Sequence, residues 1–199
     1  MPEPLAVALQ LGLPDHLRPQ AARLYWQAFG GKLGLVLGPE PRALRFLERV
    51  MRLDHVIAAI GPDKTLLGIA GFKTPDGSFA TGKASDLTAI YGLFGGFWRR
   101  LLLGWLSDDV DNDRFLLDGL CVAAAARSLG LGSALLEAIC DEARARGYDE
   151  VRLDVIDSNW RAVALYKRQG FVVIRHLHIG LLRLVFGFSS ATTMVRRVN

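Results

Sequence analysis

At 199 residues, 51% hydrophobic and 22% charged, the chain is long enough for one buried core and too apolar to remain disordered. Its formal net charge of +4 comes mostly from arginines in singles and pairs such as Arg99-Arg100 and Arg196-Arg197. No basic run marks a nucleic-acid footprint, so nucleic acid is not an expected partner.

In chain order, residues 5–11 read as a first strand. Pro14-Asp15-His16 opens a helix whose apolar face is Leu17, Ala21, Leu24, Tyr25 and Ala28, and Gly30-Gly31 is expected to end it. After Pro39-Glu40-Pro41 a second helix carries Leu44, Leu47, Val50 and Met51. Residues 55–60 and 66–72 read as strands around the turn signal Gly61-Pro62-Asp63-Lys64, and Pro75-Asp76-Gly77 marks another turn. Residues 87–106 are apolar over about a membrane's width. Arg99 and Arg100 at the middle would each cost about 3 kcal/mol at a bilayer centre, so one or two short amphipathic helices are expected and no transmembrane segment. These helices could pack on the domain, on a partner or on a membrane surface.

From Arg114 onward the pattern alternates cleanly. Strand 114–122, helix 130–147, strand 150–156, helix 159–169, strand 171–179 and a last strand 192–198 follow in turn. Two cysteines, Cys121 and Cys140, are too few for a disulfide framework, and Cys121 is expected to be a buried hydrophobe. The N-terminus lacks the order of a signal peptide, so a cytoplasmic location is expected.

The chemistry concentrates between 114 and 171. Arg127-Ser128-Leu129-Gly130-Leu131-Gly132 stands between a strand and a helix. A helix N-terminus offers unpaired N–H groups and the positive end of a dipole, which suits a pyrophosphate, and Gly130 and Gly132 keep side chains out of its way. A rival phosphate loop, Gly77 to Lys83, fails because Ala84 stands where Ser or Thr must hold magnesium. His176 and His178 alternate on one strand, so they share a face and could line a pocket. No third ligand is placed for a metal, and none is expected.

Residues 114–171 closely resemble the GNAT superfamily of acyl-CoA-dependent N-acetyltransferases. The resemblance rests on Arg127-x-x-Gly130-x-Gly132 and on Asn159, Ala162, Tyr166, Gly170 and Phe171 in the spacing of that family's second motif. It implies an α/β fold with a mixed, mostly antiparallel central sheet flanked by helices, in which two parallel strands splay into a V. The reading is then one domain over 1–199 with an apolar addition at about 83–112. Acetyl-CoA is the implied co-substrate. The backbone of Leu120, Cys121 and Val122 would hold its pantetheine, with the Val122 amide at the thioester oxygen. Amides from Arg127 to Ser133, including Ser128, Leu129 and Leu131, would hold the pyrophosphate. Asn159 and Ala162 would border the pantetheine arm, and Tyr166 would protonate the departing thiolate.

The resemblance also implies direct attack by an amine in a ternary complex, which needs a base. Asp118 is the candidate, placed four residues before Val122 and so expected on the same strand face; a purely structural hydrogen bond is the other reading. Glu40 is second. The acceptor the resemblance implies is a primary amine on a small molecule or peptide. Tyr91, Phe94, Phe97, Trp98, Trp105, Phe186 and Phe188 hint at an apolar acceptor or a homodimer contact. Asp108, Asp109, Asp111 and Asp113 form a small acidic run ahead of the central strand. The alternative from another class is a non-catalytic acyl-CoA-binding module whose apolar addition recruits a partner.

Overall fold

The computed structural model describes residues 7–107, 113–178, 180 and 187–199, with side chains omitted for 105–107. Trp105, Phe186 and the acidic residues Asp108, Asp109 and Asp111 therefore lie outside what is described. The elements are β1 (Ala8–Leu11), α1 (Arg18–Leu37), α2 (Glu40–Val50), β2 (Val56–Ile60), β3 (Leu66–Thr74), β4 (Gly77–Ser78), α3 (Ala84–Ser107), β5 (Phe115–Val122), α4 (Leu131–Ala145), β6 (Glu150–Ile156), α5 (Trp160–Arg168), β7 (Val172–His178) and β8 (Ser190–Arg197).

The strands form one sheet in the order β1-β2-β3-β5-β6-β8-β7, with β4 folded back on β3. All pairings are antiparallel except β5 with β6. Helices cover both faces, so β2 reads as the continuous apolar run VIAAI. Its alternate residues go to opposite layers. Ile57 and Ala59 pack with α4 residues such as Leu135 and Ile139, while Val56 and Ala58 pack with Ala21, Leu24 and Leu47 from α1 and α2.

Helix α1 does not stop at Gly30-Gly31 as its glycines suggest. Each glycine costs a helix about 1 kcal/mol relative to alanine. Continuing to Leu37 buries Val36 and Leu37 fully, in a third cluster with Phe46, Leu87 and Tyr91. Burying two such side chains returns roughly 3–6 kcal/mol, so tertiary packing overrides local propensity. The helix ends at Gly38, ahead of Pro39.

Segment 83–107 is helical in two limbs, as expected, because Gly92 breaks α3 with φ 74° and ψ 174°. Gly96 lets the limbs approach: a Cβ there would fall 2.9 Å from the Thr88 nitrogen. Arg99 turns inward. Its Nε donates to Val36 O at 2.6 Å and its guanidinium stacks 4.0 Å from the Tyr91 ring centroid. The Tyr91 hydroxyl donates to Leu37 O at 2.5 Å. Two carbonyls that α1 leaves unpaired at its C-terminus are thus satisfied by α3 side chains. The opposite side of the second limb is bare, with Leu93, Phe94 and Phe97 at 78%, 94% and 65% exposure. Among the described residues, no helix is long and apolar enough to cross a membrane.

Gly71 of β3 sits under the fully buried Phe79, whose ring carbon would lie 2.5 Å from an added Cβ. Gly71→Ala is expected to lose about 1–3 kcal/mol in urea unfolding. A loss under about 0.5 kcal/mol would show that Phe79 moves aside freely.

Candidate active site

The site is made by a pairing that stops early. β5 and β6 run parallel through Phe115↔Val151, Leu116↔Arg152 and Leu117↔Leu153, and then part. The next residues, Asp118 and Asp154, stand one on each limb of the opening V. At the same point β5 carries a bulge: Leu117 pairs with Phe72 and Gly119 with Gly71, leaving Asp118 as the extra residue. A bulge bends its strand and resets the side-chain alternation.

That reset corrects one expectation. Asp118 and Val122 are four apart but do not share a face. Phe115 and Leu117 pack on the α4 side before the bulge, and Leu120 and Val122 after it. Asp118 instead reaches β4, where its Oδ2 accepts from Ser78 Oγ at 2.7 Å and from the Ala80 amide at 3.3 Å. Gly119 and Cys121 follow on the same side, toward Phe29 and Tyr25.

The backbone of β5 beyond the bulge has one paired edge and one open edge. The Ala123 amide donates to Leu67 O at 2.8 Å, and Val122 stands opposite Gly68. Antiparallel ladders alternate, so Cys121 spends its polar groups on β3 while Leu120 and Val122 turn theirs toward the gap. Of the three residues expected to present backbone there, two do. Arg127 Nε donates to Val122 O at 3.2 Å, which ties the loop before α4 to this edge.

A cleft of about 880 Å³ occupies the gap, lined by Asp118 to Val122, by Asp154 to Ile156, and by the starts of α4 and α5. At the α4 end Ser128 and Gly130 both adopt left-handed backbone, with φ 64° and 79°. Two such residues curl the chain so that successive N–H groups converge. Among the described residues no side chain caps α4. Ser133 and Ala134 donate to Gly130 O, whereas the amides of Leu131 and Gly132 fall in the first turn, before any intrahelical partner exists. Gly130 is required by its backbone conformation. Gly132 serves packing, since a Cβ there would meet Leu165 at 3.3 Å. Arg127, Arg161 and Arg168 line the same cleft, and the last two were not anticipated. Leu129 is 56% exposed and does not line it.

Asn159 caps α5, its Oδ1 accepting from the Ala162 amide at 3.4 Å, and both residues line the cleft. Tyr166 projects from α5 into the cleft and packs on Phe171. Burial, with a smaller contribution from Cys121, pushes its pKa up to about 12. Among the described residues its hydroxyl has no hydrogen-bond partner. Burial likewise raises the Cys121 thiol to about 12, which keeps it protonated and inert, as a small buried hydrophobe should be.

A second cavity of about 450 Å³ adjoins the cleft. Phe29, Lys32, Asp118, Asp154, Val155 and Ile156 line both. Asp154 and Lys32 were missed in the sequence. Asp154 accepts from Thr193 Oγ1 and pairs with Arg152 at 3.2 Å. Lys32 lies over the Phe29 ring, and burial lowers its pKa. Glu40 is exposed at the start of α2 and lines neither space. His176 and His178 line neither as well; the His176 ring is 3.0 Å from Thr192 Oγ1. The Gly77–Lys83 segment is no phosphate loop: Gly77 and Ser78 pair with β3, and Asp86 accepts from the Lys83 amide at 2.9 Å.

Among solved structures, Ard1 from Thermoplasma volcanium superposes with a TM-score of 0.63 at 16% identity, over 98% of this chain and 99% of that one. A GCN5-related N-acetyltransferase from Kribbella flavida gives 0.59 at 18% identity, over 96% and 98%. The ribosomal-protein-S18-alanine N-acetyltransferase from Escherichia coli gives 0.58 at 18% identity, over 97% and 94%. At such identities the likeness is one of fold. No curated protein matches the sequence. The Acetyltransferase (GNAT) family model matches residues 20–171, a span that takes in both limbs of the V, the α4 turn and Tyr166, and the chain belongs to the GNAT acetyltransferase family.

Proposed function

We propose that the protein transfers an acetyl group from acetyl-CoA to a primary amine by direct attack. The observation that carries this reading is the V itself. An open backbone edge, an uncapped helix start and an isolated phenol meet in one cleft that adjoins a second cavity. The fit to acetyl-CoA rests on those groups. The open edge of Leu120 and Val122 suits an extended amide-bearing arm, which would lie in the gap as an added strand. The amides around Gly130 to Gly132, with Arg127, Arg161 and Arg168 near them, suit a pyrophosphate. Acetyl-CoA supplies the activated carbonyl and a thiolate leaving group.

The residues of this chain then divide the work. The Val122 amide donates to the carbonyl oxygen as negative charge builds there. Asn159, with its Oδ1 used in the cap, keeps its amide NH₂ for the arm. The acceptor enters from the second cavity, and Asp118 at the apex takes a proton from its ammonium so that the nitrogen lone pair can attack. Asp154 adds negative charge beside it. The new C–N bond forms as the C–S bond breaks; Tyr166 gives its proton to the departing sulfur, and the second proton of the attacking nitrogen, released as the amide forms, returns through solvent to the Tyr166 oxygen. Burial makes this possible across the working range: with its pKa near 12, Tyr166 stays protonated at neutral and moderately alkaline pH.

Tyr166→Phe should lower kcat by roughly 10² or more with CoA affinity changed less than about threefold. Unchanged turnover would remove the phenol from the reaction. In the native protein the phenol remains protonated until pH approaches 12. A falling limb in kcat below about pH 10 that Tyr166→Phe abolishes would contradict that assignment.

Asp118→Asn keeps an acceptor for Ser78 and Ala80, so the fold should hold. Its turnover should drop roughly 10²-fold near neutral pH and recover as the pH nears the acceptor's own pKa, where neutral amine arrives from solution. A deficit constant with pH would leave Asp118 only its structural bonds to β4.

Cys121→Ala should retain turnover within a few fold, because the buried thiol is not a nucleophile. Loss of activity with kinetics that pass through an acetyl-enzyme would replace direct attack. Saturable CoA binding without transfer to any amine would leave a binding module, with the bare face of α3 as its partner surface.

A further inference from the structure

The second cavity is asymmetric in a way that restricts the acceptor. The residues shared with the cleft mark its inner end, where the amine must meet the carbonyl; there stand two carboxylates, Asp118 and Asp154, and one ammonium, Lys32. The residues that line this cavity alone mark its body. They are mainly apolar: Leu37 from α1, Phe46 and Leu47 from α2, Leu87 and Leu103 from α3, and Phe188. Beside them on α3 stands Arg100, which also lines this cavity alone. Its neighbour Arg99 is consumed in capping α1, whereas Arg100 has no hydrogen bond or ion pair among the described residues.

Resting on the acetyl-transfer reading, we propose that the acceptor is a small primary amine with an aryl or alkyl body and an anionic group remote from the amine. The body fills the space between Phe46, Leu87, Leu103 and Phe188, and Arg100 reads the anion. At about 450 Å³ the space is of small-molecule size. The charge order supports the orientation. At the inner end Asp154 is paired with Arg152, while Asp118 is met only by the Ser78 hydroxyl and the Ala80 amide and is the carboxylate that draws an ammonium; the α3 end carries a positive charge. A polyamine or a polycationic amino sugar would bring a second ammonium toward Arg100 and a lining that is mainly apolar among the described residues, so both are disfavoured.

The test compares two aryl amines that share one skeleton, and a polyamine. Phenethylamine, 4-(2-aminoethyl)benzoate and spermidine are assayed for CoA-thiol release, with the native protein and with Arg100→Ala and Arg100→Lys. The benzoate should show the highest kcat/KM, with about a tenfold or larger advantage over phenethylamine, as a charge-assisted hydrogen bond gives. Arg100→Ala should remove that advantage by raising KM for the benzoate while leaving phenethylamine within about twofold, and Arg100→Lys should restore part of it. Arg100 is exposed and bonds nothing described, so neither variant threatens the fold. Spermidine or phenethylamine outperforming the benzoate would overturn the proposal, as would equal loss for both aryl amines in Arg100→Ala. Calorimetric titration of the benzoate into the CoA-saturated protein separates the two readings. Arg100-dependent binding without turnover would sustain the acceptor class and refute the acetyl transfer. Turnover of amines with no Arg100-dependent benzoate binding would refute the class alone.

Discussion

Everything at the site depends on a strand pair that is forbidden to finish. β5 and β6 share three residue pairs and then diverge, yet both strands continue for several residues. Leaving backbone donors and acceptors unpaired beside a sheet costs free energy unless water or a ligand takes them up. The rest of the sheet sustains this. β5 is held along its length by β3, and β6 is held by β8 through seven consecutive pairs from Glu150↔Arg197 to Ile156↔Ala191. Each limb of the V is tied on its outer side, so the inner edges stay apart and open. The bulge at Asp118 supplies the bend, and it also turns that carboxylate toward β4 and the second cavity.

The electrostatics follow from the same geometry. Pulling the strands apart exposes the turn that enters α4, where left-handed Ser128 and Gly130 point their neighbours' amides into one concavity. No carboxylate lies in the first turn of α4 to compete for it. The carboxylates of the cleft stand instead at the apex of the V. On the proposed reading, a phosphorylated cofactor and a cationic acceptor would meet favourable potentials at different places, about one common point of reaction. The phenol of Tyr166 is kept neutral by burial and, among the described residues, not by any partner, so its proton is in place throughout the neutral range.

Much of this was legible in the sequence because it is local. The period-2 and period-3.6 patterns gave each strand and helix from 114 onward to within two or three residues, and the Arg127–Gly132 and Asn159–Phe171 spacings located the cleft. What stayed hidden depends on contacts distant in the chain. Asp154 gained its place from register alone: Leu117-Asp118 and Leu153-Asp154 lie side by side only once the two strands pair in parallel. Those repeated Leu-Asp steps were the signal available. The bulge that separates Asp118 from Val122 arises in the pairing with β3 and leaves no local mark. The length of α1 was hidden for a related reason, since Val36 and Leu37 find their partners on α2 and α3.

Helix α3 shows how one sequence feature can answer several demands. Two adjacent arginines in an apolar segment are costly wherever that segment is buried. Here the break at Gly92 rotates the second limb so that the pair divides. Arg99 faces α1 and satisfies a carbonyl the helix cannot satisfy itself, held flat between the Tyr91 and Trp98 rings at 4.0 and 4.2 Å. Arg100, one position on, is swung by about 100° to the wall of the second cavity. Anchoring the first arginine therefore fixes the azimuth of the second. The same rotation leaves Leu93, Phe94 and Phe97 pointing away from the protein. A surface that bound this outer face would bear on the limb that forms the cavity's wall, and the bonds from Arg99 to Val36 O and from Tyr91 to Leu37 O are what tie that limb to α1.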